Sequence, residues 1–274
     1  MSRSWPLLCL CLVVVSLGAR ADDPESIVFA TAPTHSEEET IRIYTPLIRH
    51  LSRATGKPFV LKTARNFVEY SLQMRQDNYD MVFDGPHLSG WRMDNLGHTP
   101  IVRLPGTIRI VVVARDEVEI TSLEELQLGR EKVCAFNSPN MLTMAFLSHF
   151  PNPVRQPTML RVQGFDSLMT CLRSKQGDVA VLRDKLWNKL DKAGLKLVAA
   201  PQRGYPERTF TVGSRVSPEL RQKIQQALLS EEGVKASQAI LERFKKDKLI
   251  GASAAEYEGL GALLSPVWGF HAMR

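Results

Sequence analysis

The sequence predicts an α/β fold of two lobes, each a mostly parallel sheet flanked by helices, with a ligand cleft between them. Strand and helix patterns alternate in two separate series along the chain. A long β-rich run, Ile101 to Arg115, stands between the two series, and a late strand followed by helical sequence offers a path back to the first lobe.

The first series begins with Ile27 to Ala30, a short apolar strand ending at Thr31-Ala32-Pro33-Thr34. Helical spacing runs from Glu37 to Ala54, with Ile41, Tyr44, Leu47, Ile48 and Leu51 on one face, and Thr55-Gly56 stops it. Phe59 to Leu61 reads as a second strand and Asn66 to Gln76 as a second helix. Tyr79 to Phe83 is a third strand, running into Asp84-Gly85-Pro86-His87. A βαβαβ order of this kind calls for parallel strands with right-handed crossovers. Trp91 and Arg92 fall within the helix that follows, as a packing residue and a solvated one.

In the second series Ser122 to Leu128 is helical, Lys132 to Phe136 a strand and Asn140 to His149 a helix. Met159 to Val162 is a strand, Asp166 to Lys175 a helix, and Val179 to Leu182 a strand. Lys185 to Ala193 is a further helix and Leu197 to Ala199 a further strand. Thr209 to Val212 then returns the chain to the first lobe, and Pro218 to Phe244 reads as one or two helices. Ligands of open α/β sheets sit beyond the carboxyl ends of strands. The loops of interest are therefore Thr31 to His35, Asp84 to His87, Asn137 to Thr143, and Arg183-Asp184.

Residues 1–21 carry the three parts of a cleavable secretory signal: Arg3, an apolar run from Leu7 to Leu17, and the small-x-small site Ala19-Arg20-Ala21. A run of about 11 residues falls short of the roughly 20 that a membrane span requires. Cys9 and Cys11 lie behind leucines, where lipidation asks for a small residue, so the expected product diffuses freely in the periplasm. Loss of Arg3 and Arg20 lowers the formal charge from +6 to +4. That balance, without a Lys/Arg run, argues against nucleic acid and is compatible with a small anionic ligand. Cys134 and Cys171 remain, either paired in the oxidising compartment or as two buried thiols.

Catalysis finds no support. There is no GxSxG, HExxH, P-loop or GxGxxG pattern. Cys134 lies within an apolar strand rather than at a helix N-terminus, where thiolates are stabilised, so an exported thiol enzyme is the weaker reading. No HxxxH or CxxC spacing supports a metal, and no cofactor is expected.

Several stretches, in order and spacing, resemble the periplasmic substrate-binding proteins of the phosphonate type. They are Tyr44-Thr45-Pro46-Leu47 through Thr55-Gly56-Lys57-Pro58, Tyr79 to His87, and Ile120 to Leu126. Val133 to Phe136 with Asn137-Ser138-Pro139, and Gln176-Gly177-Asp178-Val179-Ala180, complete the likeness, which runs from about Ile27 to Val212. The resemblance implies a type II periplasmic-binding fold whose two lobes close on a ligand by a hinge. It also implies delivery to an ABC importer at the inner membrane, by a monomer. A second use is open: presentation of the ligand-bound form to a sensor histidine kinase. The lobes are expected at 22–107 with 206–274, and at 108–205.

The family offers a Ser/Thr-rich turn to its anion. Here the turn is Ser138-Pro139-Asn140-Met141-Leu142-Thr143, where apolar groups replace hydroxyls and Pro139 lacks an N–H. The ligand is then either an oxyanion held at a helix start or a different, partly apolar solute. In the 2-1-3 strand order that the resemblance implies, the loops bearing Thr34, His35 and His87 are neighbours. The two imidazoles donate to an oxyanion, jointly ligate a soft metal with Met141 or a cysteine, or else stand in solvent or cap a helix. Asp84 is a ligand acceptor or a helix cap. Asn137, Ser138 and Asn140, with Met141 and Thr143, are the second-lobe contacts. Arg183 reaches the ligand or pairs with Asp184, Arg109 is the polar side of a half-exposed strand, and Tyr205 closes over the ligand or serves as a hinge residue.

Overall fold

The structure is a computed structural model that describes residues 25–128 and 130–270; the expected export signal, with Cys9 and Cys11, lies outside them. The chain runs β1 (Ile27–Thr31), α1 (Glu37–Thr55), β2 (Phe59–Leu61), α2 (Phe67–Arg75), β3 (Met81–Asp84), α3 (Pro86–Leu96) and β4 (Thr99–Arg103). It continues through β5 (Thr107–Ile108), β6 (Ile110–Arg115), β7 (Lys132–Phe136), α4 (Met141–Leu147), β8 (Thr158–Val162) and α5 (Phe165–Arg173). Next come β9 (Val179–Arg183), α6 (Asp184–Trp187), β10 (Leu195–Ala199), β11 (Tyr205–Pro206) and β12 (Thr209–Val212). The last elements are α7 (Pro218–Leu229), α8 (Glu231–Ala236), α9 (Gln238–Arg243) and β13 (Ile250–Gly251).

Two mixed sheets result, of order β13-β4-β12-β3-β1-β2 and β10-β6-β9-β7-β8. In each, three neighbouring strands are parallel: β2, β1 and β3 in one, and β8, β7 and β9 in the other. Antiparallel strands extend these cores. β12 returns from the second lobe to pair with both β3 and β4. Where the chain passes between lobes, β5 and β11 pair antiparallel, Ile108 opposite Tyr205 and Thr107 opposite Pro206.

Period-two patterning divides the core. Phe29, Met81 and Phe83 face α1 and α7. Their neighbours Ala30 and Val82 turn to the other side, into a cluster that also takes Ile110, Val112 and Met144 from the second lobe. Val111 and Val113 face outward onto Leu168 and Leu172 of α5, and there a Cys134–Cys171 disulfide ties β7 to that helix.

Helix α1 starts where Ser36 accepts from Glu39 N at 3.2 Å, carries three acids in its first turn, and ends at Gly56 with φ 73°. Its buried face differs from the expected one: Ile43 is in and Ile41 is 46% exposed. At 3.6 residues per turn Ile41 lies about 120° round the helix from Leu47, whereas Ile43 and Leu51 flank Leu47 at about 40° on either side. The helix expected over Lys185 to Ala193 is only the single turn of α6, because little of it beyond Trp187 and Leu190 docks on the core. Pro218 to Phe244 forms three helices, with Ser230 and Ser237 at the two breaks. Helix α3 meets the one-turn 3-10 segment Leu260–Leu264 backbone to backbone: a methyl group on Gly90 would sit 2.7 Å from Gly261 N.

Candidate functional site

The loops after β1, β3 and β7 meet the end of β9 around one cavity of about 240 Å³. From the first lobe Ala32, Thr34, Gly85, Pro86 and His87 line it. From the second come Asn137, Pro139, Asn140, Met141, Leu142 and Arg183. Ile108, Glu207 and Arg208 close it at the crossover, and Phe67, Leu88 and Phe244 add apolar walls. Six expected site residues, Thr34, His87, Asn137, Asn140, Met141 and Arg183, thus share one lining.

His87 spans the lobes. Its Nε2–H donates to Pro139 O at 2.6 Å, and since a carbonyl only accepts, the ring proton is on Nε2. Nδ1 is buried without a partner. Burial lowers the pKa from 6.5 to about 4, against the opposing pull of the Pro139 bond and of Asp84. The ring is therefore neutral. Asn140 caps α4, its Oδ1 accepting from Leu142 N at 2.9 Å.

Five expected residues have other partners and do not line the cavity. Asp84 is fully buried beneath it. Its Oδ1 accepts from Ala32 N at 2.9 Å, and its Oδ2 accepts from Tyr70 Oη and Arg92 Nη1. Arg92 also donates to Tyr70 Oη at 2.7 Å. This corrects the expectation that Arg92 is solvated: it is 1% exposed and neutralises Asp84. His35 Nδ1 accepts from Arg243 Nη2 at 3.0 Å, and burial, then Arg243, lower its pKa. Thr143 Oγ1 donates to Phe136 O at 2.8 Å, and Ser138 Oγ to Met144 Sδ at 3.8 Å. Tyr205 is buried in the crossover pair, with Arg203 over its ring at 5.1 Å. Arg109 is exposed.

Arg183 does not pair with Asp184 but with Glu207, which is 2% exposed and also takes Lys246 Nζ at 3.0 Å. Arg208 is the site's other cation. Its guanidinium lies over the Phe244 ring at 5.1 Å, and among the described residues no hydrogen bond or ion pair engages it. Its charge depresses the pKa of both His35 and His87. The sequence reading missed Glu207, Arg208 and the aromatic walls. The available signal was a Glu-Arg pair between Tyr205-Pro206 and an apolar returning strand, the place where a crossover brings charge to a cleft. For Phe244 there was none.

Two α/β lobes, crossed twice by the chain and lined at their junction by strand-end loops, define a solute-binding protein of the two-lobed type. A family model described as ABC transporter, phosphonate, periplasmic substrate-binding protein matches residues 29–257, and the chain belongs to that family. Similar solved structures include XAC2383 from Xanthomonas citri bound to ATP, at 13% identity and TM-score 0.71, covering 89% of this chain and 98% of that one. PhnD1 from Prochlorococcus marinus in complex with methylphosphonate is 14% identical at TM-score 0.64, over 89% and 99% of the two chains. PA3383 from Pseudomonas aeruginosa, a binding protein component of an ABC phosphonate transporter, is 18% identical at TM-score 0.57, over 84% and 82%. At these identities the structures establish the fold. No curated protein sequence matches the chain. The family serves transport rather than catalysis and works in the periplasm; among the described residues no helix is long and apolar enough to cross a membrane.

Proposed function

We propose that this protein captures a small anion with an apolar part in the interlobe cavity and hands it to the permease of an ABC importer. The lobes in this reading are residues 22–107 with 206–274, and 108–205, exported on residues 1–21 and working as a monomer. Thr34, His87, Asn137, Asn140, Met141 and Arg183 form the ligand-facing surface. Arg208 carries the reading: a cation half-buried in a cavity, with no carboxylate of its own, is matched by the charge of a ligand. Phe67, Leu88, Met141 and Leu142 receive the apolar part.

A thermal-shift screen over phosphonates, phosphite, sulfonates, arsenite, amino acids and divalent metals tests this, since binding to the native state alone raises the melting temperature. An oxyanion should stabilise the protein. Arg208→Met should then weaken that ligand by about 10- to 100-fold, the worth of one hydrogen-bonded charge, while leaving unliganded stability within about 0.5 kcal/mol. A protein that no oxyanion stabilises, or whose oxyanion binding survives the substitution, would not work this way.

A further inference from the structure

His87 brings to the cavity wall a polar atom that no other described residue uses. The ring lines the cavity at the start of α3 and is 3% exposed. With Nε2–H given to Pro139 O, Nδ1 carries only a lone pair, and that acceptor is buried without a donor. Gly85, in the same wall, keeps the space beside it clear: a methyl group there would stand 3.0 Å from Cε1 and 3.2 Å from Nδ1. At φ −66° and ψ 155° the backbone of Gly85 suits any residue, so the missing side chain answers to space rather than to conformation. Gly85 also gives α3 no side-chain cap, and Pro86 opens the helix without an N–H, which leaves this helix start to an anion. The charged groups acting on the ring are Asp84, Arg92 and Arg208. Asp84 only accepts, and is taken by Ala32 N, Tyr70 and Arg92. Arg183 and Glu207, also in the cavity wall, pair with each other.

We infer that His87 Nδ1 selects ligands by a hydroxyl hydrogen: the anion bound here is an acid that still carries one O–H and donates it to Nδ1. Its charged oxygens meet the start of α3 and Arg208. This rests on the anion-capture reading, and names the protonation state taken and the residue that reads it. A buried acceptor without a donor is costly, and a ligand that supplies one gains about tenfold to a hundredfold over an equal that cannot. The shared hydrogen stays on the ligand, because burial holds the ring's pKa at about 4. An anion with no O–H sets an oxygen lone pair against that of Nδ1. For an acid able to lose a second proton, charge and hydroxyl then pull in opposite senses. Ionisation strengthens the attraction to Arg208 and removes the donor to Nδ1. Charge alone calls for tighter binding of the fully ionised form; Nδ1 calls for weaker.

Isothermal titration of the full mature chain with methylphosphonate and methanesulfonate, at about pH 6 and about pH 9, tests this. The two have the same shape, and at the lower pH both are singly charged, but only methylphosphonate keeps an O–H. There it should bind at least about tenfold more tightly than the sulfonate. At the higher pH it has lost its second proton and should weaken by about tenfold, while the sulfonate holds steady. His87 is neutral at both values, so the change reports the ligand. His87→Leu should erase the preference and reverse the pH trend. Gly85→Ala, which keeps His87 and crowds Nδ1, should do the same and decides the matter if the first variant does not fold. Equal binding of the two anions at about pH 6, or tighter methylphosphonate binding at about pH 9, would overturn the inference and leave anion capture standing. A preference that survives both substitutions would overturn the role of Nδ1. Failure of both anions to bind would overturn this inference and the capture reading together.

Discussion

His87 makes the stability of the folded protein depend on pH. The imidazole is buried, its Nε2–H is spent on Pro139 O, and its Nδ1 has no partner. Burial is the largest cause of its fall from 6.5 to about 4; Asp84 opposes the fall, and Arg208 and Arg92 deepen it. In the unfolded chain the ring takes up a proton near 6.5, while the folded protein resists until about 4. The unfolded state therefore binds more protons in this window, and stability falls as the pH falls. The contribution is full above 6.5 and lost on the way down to about 4; at roughly 1.4 kcal/mol per pH unit it amounts to about 3 kcal/mol. Urea unfolding at pH 7.5 and 4.5, compared between wild type and His87→Gln, measures it. Other groups that titrate here, including His35, His98 and His149, whose pKa values are also lowered chiefly by burial, cancel in the difference. The wild type should lose about 2–3 kcal/mol more than the variant over that range. Parallel losses in the two proteins would mean that His87 is not held neutral by its surroundings.

Two further outcomes follow from the supports beneath the site. Arg92→Met strips the only cation bonded to buried Asp84 among the described residues and should cost about 3–5 kcal/mol in urea unfolding; Asp84→Asn in the same chain should recover much of it, because the lone charge is gone. Reduction of Cys134–Cys171, which closes a span of 37 residues, should lower stability by about 4 kcal/mol in the chain-entropy picture, measured by unfolding with and without reductant. A smaller loss would indicate residual order in the reduced, unfolded second lobe.

The fold was legible because its signals are local. Strand patches of alternating burial, the Ser36 and Gly56 boundaries of α1, and the strand-end loops are all written in short stretches. The loops therefore led to the cavity between the lobes. Residue roles within those loops were harder to read, since a side chain at a strand end has several directions open to it. Asp84 and Thr143 sit in the expected loops, yet Asp84 is claimed by Tyr70 and Arg92 and Thr143 by the Phe136 carbonyl, partners set by packing. Arg92 looks solvated in sequence because arginine usually is; only its position eight residues on from a buried carboxylate, brought close by α3, makes burial tolerable. Arg208 and Glu207 became visible once β11 had paired with β5 and β12 had been threaded between β3 and β4, strands formed much earlier in the chain.

The paired crossover strands bear on how such a protein can be altered. Every strand of the five-stranded sheet comes from one uninterrupted stretch, Ile110 to Ala199, which leaves and re-enters the rest of the chain at residues lying side by side in β5 and β11. The splice points of that stretch are thus fixed by the crossover and do not depend on what lies between them. A cassette from another member of the family, carrying its own half of the cavity wall, meets the same two ends. Chimeras made there would change the lining around Asn137, Met141 and Arg183 while keeping Arg208 and the six-stranded sheet, so new specificities are reachable by exchange as well as by point substitution.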